Sequence, residues 1–483
     1  MMKRDMTPHT QLASEAMKSN LRGLQLVQQL QQLAVGRFHY RLLAAVGLGW
    51  LFDAMDTGLI AFIIPRLAES WQMTAADKAL VVSIGFIGMA IGAVVAGALA
   101  DRFGRKTVLC GTLLLYGAAT AACGVVPSIS WLLVCRFLVG LGLGGQLPVA
   151  VSLVSEYVPT AVRGRFIVLL ESFWGLGWLA AALIAYGVIP VYGWQPAFLI
   201  GGLPFIYAIC LWRLVPESIP YLVERGRLTE ATAIVNRITS GAQGAVTCGG
   251  HSVVADSLNV TDEATGEMMP KAAVSLRRLW SRGFARRTLM LWLIWFGIVF
   301  SYYGIFTWLP SLLMERGFPI VKSFEFTLIL ILAQLPGYMA AAWLIERWGR
   351  KQTLAGFIAL CAVCAHFFGA ATSDGAVILW GCLLSFFNLG AWGVLYTYTP
   401  EQYPTAMRAY GSGWASAIGR LGGIAAPPVV TQLMTQAGAF TRVFTMFTLV
   451  LTAVAVVIVV LGKETCGRSL METGRGDEVM HHQ

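Results

Sequence analysis

The chain has 483 residues, 57% of them hydrophobic and 12% charged, and a formal net charge of +10. That balance is too apolar for an ordinary water-soluble domain. The charge by itself would suit a nucleic-acid partner, but its placement along the chain excludes that reading.

In chain order, residues 1–40 are polar and read as a tail, not a cleaved signal. Within them Leu24, Val27, Leu30 and Leu33 share one helical face, which predicts an amphipathic helix on the membrane surface. A spanning helix needs roughly 20 mostly apolar residues. Twelve segments qualify: 41–64, 79–100, 107–126, 131–155, 166–189, 196–214, 288–313, 326–346, 353–372, 376–399, 411–435 and 441–462. Backbone polar groups cannot stay bare in lipid, so these are helices. Residues 41–214 form one six-helix bundle and 288–462 a second. Residues 215–287 are a linker with short helices and a Gly/Ser/Thr-rich middle, and 463–483 are a tail. With the N-terminus in the cytoplasm, about 28 Lys and Arg fall on that side against about 5 outside. The positive charge therefore sets topology, with both termini cytoplasmic.

The chain is also one unit written twice. DRFGRK (Asp101 to Lys106) returns as ERWGRK (Glu346 to Lys351), 245 residues later. The same offset maps EYVPTAVR (Glu156 to Arg163) onto EQYPTAMR (Glu401 to Arg408), and Pro65 onto Pro310. Gly140, Gly142 and Gly145 satisfy GxGxxG, but no strand precedes them, so they read as helix-packing residues and not as a dinucleotide loop. The nine cysteines are scattered and imply no disulfide framework. Neither a nucleophile–base set nor a metal-ligand set is found in the sequence, which argues against an enzyme.

Charged residues inside spans are costly and point to function. Asp53 and Asp56 share a face of the first span at i, i+3. By helical rise they lie roughly 18 and 22 Å from the cytoplasmic entry, and Arg136 lies about 8 Å from the outer end of the fourth span. Asp56 and Arg136 are therefore placed to pair. A buried acid beside a movable arginine can bind and release a proton, so Asp53, Asp56 and Arg136 are the candidate proton-coupling group. Glu171 and Arg420 are the other intramembrane charges, and a gating pair is one reading of them. Trp174, Trp178, Tyr302, Tyr303 and Asn388 fall near the midplane, away from the interfaces where Trp and Tyr usually sit. Asn388, Trp392 and Tyr396 recur at i, i+4, i+8. Flat rings suit a flat aromatic ligand, and Asn388, Gln146 and Ser172 are neutral groups that can meet a carboxylate.

The two loops after spans two and eight, the RGR at Arg163 to Arg165 and PESIPYLVERGR (Pro216 to Arg227) resemble the major facilitator superfamily over nearly the whole chain. PESIPYL is similar to a sugar-porter segment, yet ESFWGLGW (Glu171 to Trp178) and FSYYGIFTW (Phe300 to Trp308) stand where sugar signatures belong. Those stretches, with VGRFHYRLLAAVGLGWLFDAMDTGLI (Val35 to Ile60), resemble the branch of synaptic-vesicle glycoproteins and bacterial niacin transporters; FDAMD is also similar to aromatic-acid/proton symporters. The resemblance implies twelve helices in two pseudo-symmetric bundles, with spans 1, 4, 7 and 10 lining the path. It implies an aromatic pocket at Trp174, Tyr302, Tyr303 and Trp392. It also implies gate contacts from Asp101, Arg102, Arg105, Glu346, Arg347 and Arg350, with Asp101 near the start of span eleven.

These readings converge on a monomeric secondary transporter of a bacterial inner membrane. It would take up nicotinate or a similar aromatic carboxylate with a proton as coupling ion, and need no cofactor, metal or nucleic acid. A sugar or polyol symporter, a drug exporter lacking its GPxxGG motif, and a transport-inactive receptor are the alternatives.

Overall fold

The computed structural model describes residues 22–23, 25–30, 33–159, 162–243, 276–281, 283–403 and 405–465. The expected tails and the middle of the linker lie largely outside them. Twelve long helices carry the fold. The first half holds α1 (Arg37–Trp71), α2 (Ala75–Phe103), α3 (Arg105–Cys123), α4 (Ile129–Tyr157), α5 (Arg163–Tyr192) and α6 (Gln195–Leu214, broken at Gly202). The second holds α7 (Ala285–Phe306, extended by Leu309–Glu315), α8 (Ile320–Arg347, broken at Ala333), α9 (Arg350–Ala370), α10 (Asp374–Glu401), α11 (Thr405–Met434) and α12 (Ala439–Leu461). Among the described residues, eleven of these are long and apolar enough to cross a membrane. The twelfth, α11, is diluted by a small and polar run around Arg420.

The two halves repeat one packing scheme. Helix α2 packs on α4 as α8 packs on α10, and α1 on α5 as α7 on α11. Likewise α3 meets α4 and α6 as α9 meets α10 and α12. The first span starts earlier than its apolar run suggests. Gly36 is extended and its N–H donates to His39 Nδ1, so Arg37 to Tyr40 belong to α1. The surface helix expected before it is helical at 25–30, but Leu26 and Leu30 are buried in the protein. Short helices Ile219–Glu224 and Leu228–Gln243 follow α6.

Small residues set how closely α2 and α4 approach. A Cβ on Gly140 would come within 2.0 Å of the Gly85 carbonyl oxygen, and one on Gly144 within 2.0 Å of that of Met89. A Cβ on Gly142 would meet Tyr116 and one on Gly145 would meet Ala96, so the glycine run is a packing surface. Because the obstacle at Gly144 is backbone, Gly144→Val forces the helices apart. Thermal unfolding of the purified variant should show a destabilisation of about 3 kcal/mol or more; an unchanged midpoint would mean the helices part freely.

The halves meet at the end remote from the duplicated loops. Phe62 of α1 packs edge-on against Phe324 of α8 at 5.2 Å. Ser83 of α2 donates to the Ile424 carbonyl of α11, and the α7 extension rests on α1. At the loop end three ion pairs each join residues of one half. Arg105 reaches Asp101 (3.2 Å) and Glu156 (3.4 Å), and Arg350 reaches Glu401 (3.3 Å). The loop glycines Gly104 and Gly349 sit at φ +98° and +90°, where a side chain would be strained. An acid fills the space beside each. Glu217 accepts from the Lys106 N–H, and Glu464 from those of Arg350 and Lys351, so carboxylates cap the N-termini of α3 and α9.

Candidate functional site

Between the halves lies a narrow cavity walled from both sides. The N-terminal half contributes Trp50, Phe86, Met89, Leu143, Leu147, Glu171 and Trp174. The C-terminal half contributes Trp295, Val299, Tyr303, Tyr338, Leu389, Trp392, Tyr396, Ser416 and Arg420. The rings brace one another. Trp50 and Trp174 have centroids 4.9 Å apart, and Trp295 stands edge-on to Trp392 (5.8 Å) and Tyr396 (5.3 Å). Tyr303 meets Phe86 across the two halves at 4.6 Å. Tyr302 sits behind the wall, fully buried. Its hydroxyl accepts from the Trp174 indole N–H at 3.1 Å, and its ring packs against Trp392 at 5.5 Å. It therefore holds the two tryptophans in place from outside the cavity.

Polar groups in the wall are few. Arg420 makes no hydrogen bond or ion pair among the described residues, the indole N–H of Trp392 has no hydrogen-bond partner there, and the Trp50 indole N–H faces the Glu171 carboxyl. Glu171 also lines the cavity and makes no ion pair among the described residues. The expected Glu171–Arg420 pair is thus not formed: the residues belong to opposite halves with the cavity between them. A cation, the Trp392 N–H donor and flat walls can hold a planar anion by charge-assisted hydrogen bonds and stacking.

Three expected contacts are not in the wall. Asn388 donates to Cys361 Sγ on α9, Gln146 accepts from Thr112 on α3, and Ser172 donates to the Leu169 carbonyl of its own helix. Each is next in sequence to a wall residue or one turn from it, but successive helical residues point about 100° apart. Trp178 is buried behind the wall against Tyr302 and Phe306. Trp50, Trp295 and Tyr338 line the cavity although the sequence reading passed over them. Their signal was spacing: Trp50 is one turn before Asp53, and Trp295 shares the i, i+4, i+8 series with Val299 and Tyr303.

The acid cluster adjoins the cavity. Arg136 Nη1 lies 3.2 Å from Asp56 Oδ2, with both residues buried. Thr120 donates to Asp56 Oδ1 at 2.6 Å. Asp53 is 1% exposed and neither of its carboxylate oxygens has a hydrogen-bond partner among the described residues. A second, smaller space touches Arg136 and shares Phe86, Met89 and Leu143 with the main cavity. Asp101, whose side chain is 77% exposed, bonds within its own half, and Arg102 lies over Phe103. Arg347 lies over Trp343, and Glu346 is exposed. In this arrangement the bonds of Asp101 and Arg105 do not bridge the two halves.

Comparison with known proteins agrees with this architecture. The Major Facilitator Superfamily model matches residues 46–427 and 326–465. The niacin transporter NiaP of Acinetobacter baylyi is 62% identical over 451 residues, covering 93% of this chain and 100% of its own. The synaptic vesicle 2-related protein of Rattus norvegicus is 30% identical over 469 residues, 92% of this chain and 82% of that one. The xylose transporter XylE from E. coli, solved in a partially occluded inward open conformation, superposes with a TM-score of 0.69 at 16% identity, over 90% of this chain and 100% of that one. This chain belongs to the major facilitator superfamily.

Proposed function

We propose that the protein takes up nicotinate, or a closely related small aromatic carboxylate, together with protons by alternating access. One observation carries the substrate class: an arginine with no hydrogen bond or ion pair among the described residues, Arg420, in a cavity walled by Trp50, Trp174, Tyr303, Trp392 and Tyr396. The guanidinium pairs with the carboxylate in fork geometry while the rings sandwich the aromatic plane. The named activity of the Acinetobacter relative, at 62% identity, supports the same class.

The loop end is assigned to the cytoplasm, with both termini there, by the Lys and Arg excess. The halves touch at the opposite end, so this arrangement faces inward. Rocking of one bundle on the other would open the outer end and bring the loops together. Asp101, Arg102 and Arg105 would then exchange bonds within their half for bonds across it, with Glu346, Arg347 and Arg350 acting likewise. Asp53 is assigned the proton, because an unpartnered buried acid is most cheaply kept neutral. The Asp56–Arg136 pair beside it responds to the same motion.

Proteoliposomes with an acidic exterior test this. The native protein should accumulate labelled nicotinate. Asp53→Asn should lose gradient-driven accumulation by about tenfold or more while still exchanging labelled for unlabelled nicotinate. No uptake by the native protein would remove the substrate, and full gradient-driven uptake by Asp53→Asn would remove the proton assignment.

A further inference from the structure

Glu171 is the acid in the cavity wall, and the carboxylate-binding mechanism above has no use for it. It lies one turn before Trp174 on α5, is 5% exposed, and has no ion pair among the described residues. The Trp50 indole lies beside it. Arg420 lines the same space from α11 in the other half. A ring that carries only a carboxylate satisfies Arg420 and leaves Glu171 facing a C–H edge. The Trp50 N–H faces the Glu171 carboxyl, but the O–H of the protonated acid is then left without an acceptor, which is costly in a buried wall, so such a ligand binds at a penalty. A ring nitrogen removes that penalty. Its lone pair accepts the O–H of protonated Glu171 while the ligand's carboxylate accepts from Arg420.

Building on the carboxylate reading, we infer that Glu171 is a specificity residue that reads a ring nitrogen, so that the cavity prefers pyridine carboxylates to benzene carboxylates of the same shape. Nicotinate and benzoate differ by one ring atom, N against C–H, and isolate this contact. The walls are common to both, and so is Arg420. A site built around a hydrogen bond rejects the analogue lacking it more strongly than an apolar pocket rejects a change of size.

The test is direct binding of labelled nicotinate and labelled benzoate to the full chain and to Glu171→Met and Glu171→Gln. The native protein should favour nicotinate by about tenfold or more. Glu171→Met should bring the two acids within about twofold, chiefly by weakening nicotinate. Glu171→Gln should keep most of the preference, since its amide N–H still donates to the ring nitrogen. A preference kept in Glu171→Met overturns the inference while leaving the carboxylate reading intact. So does an equal loss of both acids in both variants, which is the mark of a merely structural role. If the native protein binds neither acid, the carboxylate reading falls and takes this inference with it.

Discussion

Replacing Arg420 by methionine is expected to weaken nicotinate binding at least about thirtyfold, since removing one partner of a desolvated, hydrogen-bonded charge pair costs about 2–5 kcal/mol. Methionine keeps much of the side chain's length and apolar stem, so the cavity's shape is largely conserved. The charge is lost without a compensating change, because Arg420 has no ion pair among the described residues to hold together. Folding should therefore be little affected. Equilibrium binding of labelled nicotinate and thermal unfolding, measured on the same preparation, separate the two effects. Nicotinamide supplies a control: it has the same ring without the negative charge, so its binding should change far less. If Arg420→Met binds nicotinate as tightly as the native protein, the carboxylate is read elsewhere, and the Trp392 indole N–H, without a hydrogen-bond partner among the described residues, becomes the next candidate.

The second large effect concerns stability. Arg136 and Asp56 are 5% and 1% exposed and 3.2 Å apart. Breaking such a pair from one side strands a buried charge, which costs about 3–5 kcal/mol. Arg136→Met should lower the unfolding midpoint sharply and leave Thr120 as the remaining partner of Asp56. The double variant Arg136→Met/Asp56→Asn should recover at least about half of that loss, because neither charge remains to be solvated. A double variant no more stable than the single one would mean that Arg136 acts through packing, including its place against the second space beside Phe86 and Met89. Transport need not recover with stability. If the pair takes part in the cycle, the double variant should fold well and still fail to accumulate nicotinate.

Depth along a helix was legible in the sequence, and that is why the acid pair was. Rise per residue placed Asp56 and Arg136 at matching levels from opposite membrane faces, and the structure joins them. The 245-residue offset likewise announced two equivalent bundles, and the same packing scheme is found in each. The loops' glycines and acids recur with it, down to carboxylate caps that the offset misses by two residues, Glu464 standing 247 after Glu217. Direction around a helix was not legible in the same way. A soluble helix betrays its inner face by an apolar stripe. These spans are apolar all round, so Asn388, Gln146 and Ser172 could not be told from their neighbours that line the cavity.

By itself, then, the sequence determined the membrane class, the duplication, the expected cytoplasmic side and the levels at which charged and aromatic residues sit. Each of these follows from apolar run length, charge placement and a constant helical rise. Only the tertiary structure decided which of those residues face one another. It turned Trp50, Trp295 and Tyr338 into the wall, sent Asn388 to Cys361, and set Glu171 and Arg420 apart across a shared cavity. Rotation and tilt of a spanning helix are set by the neighbours it packs against, and glycines such as Gly140 and Gly144, where backbones touch, fix them through contacts distant in the chain.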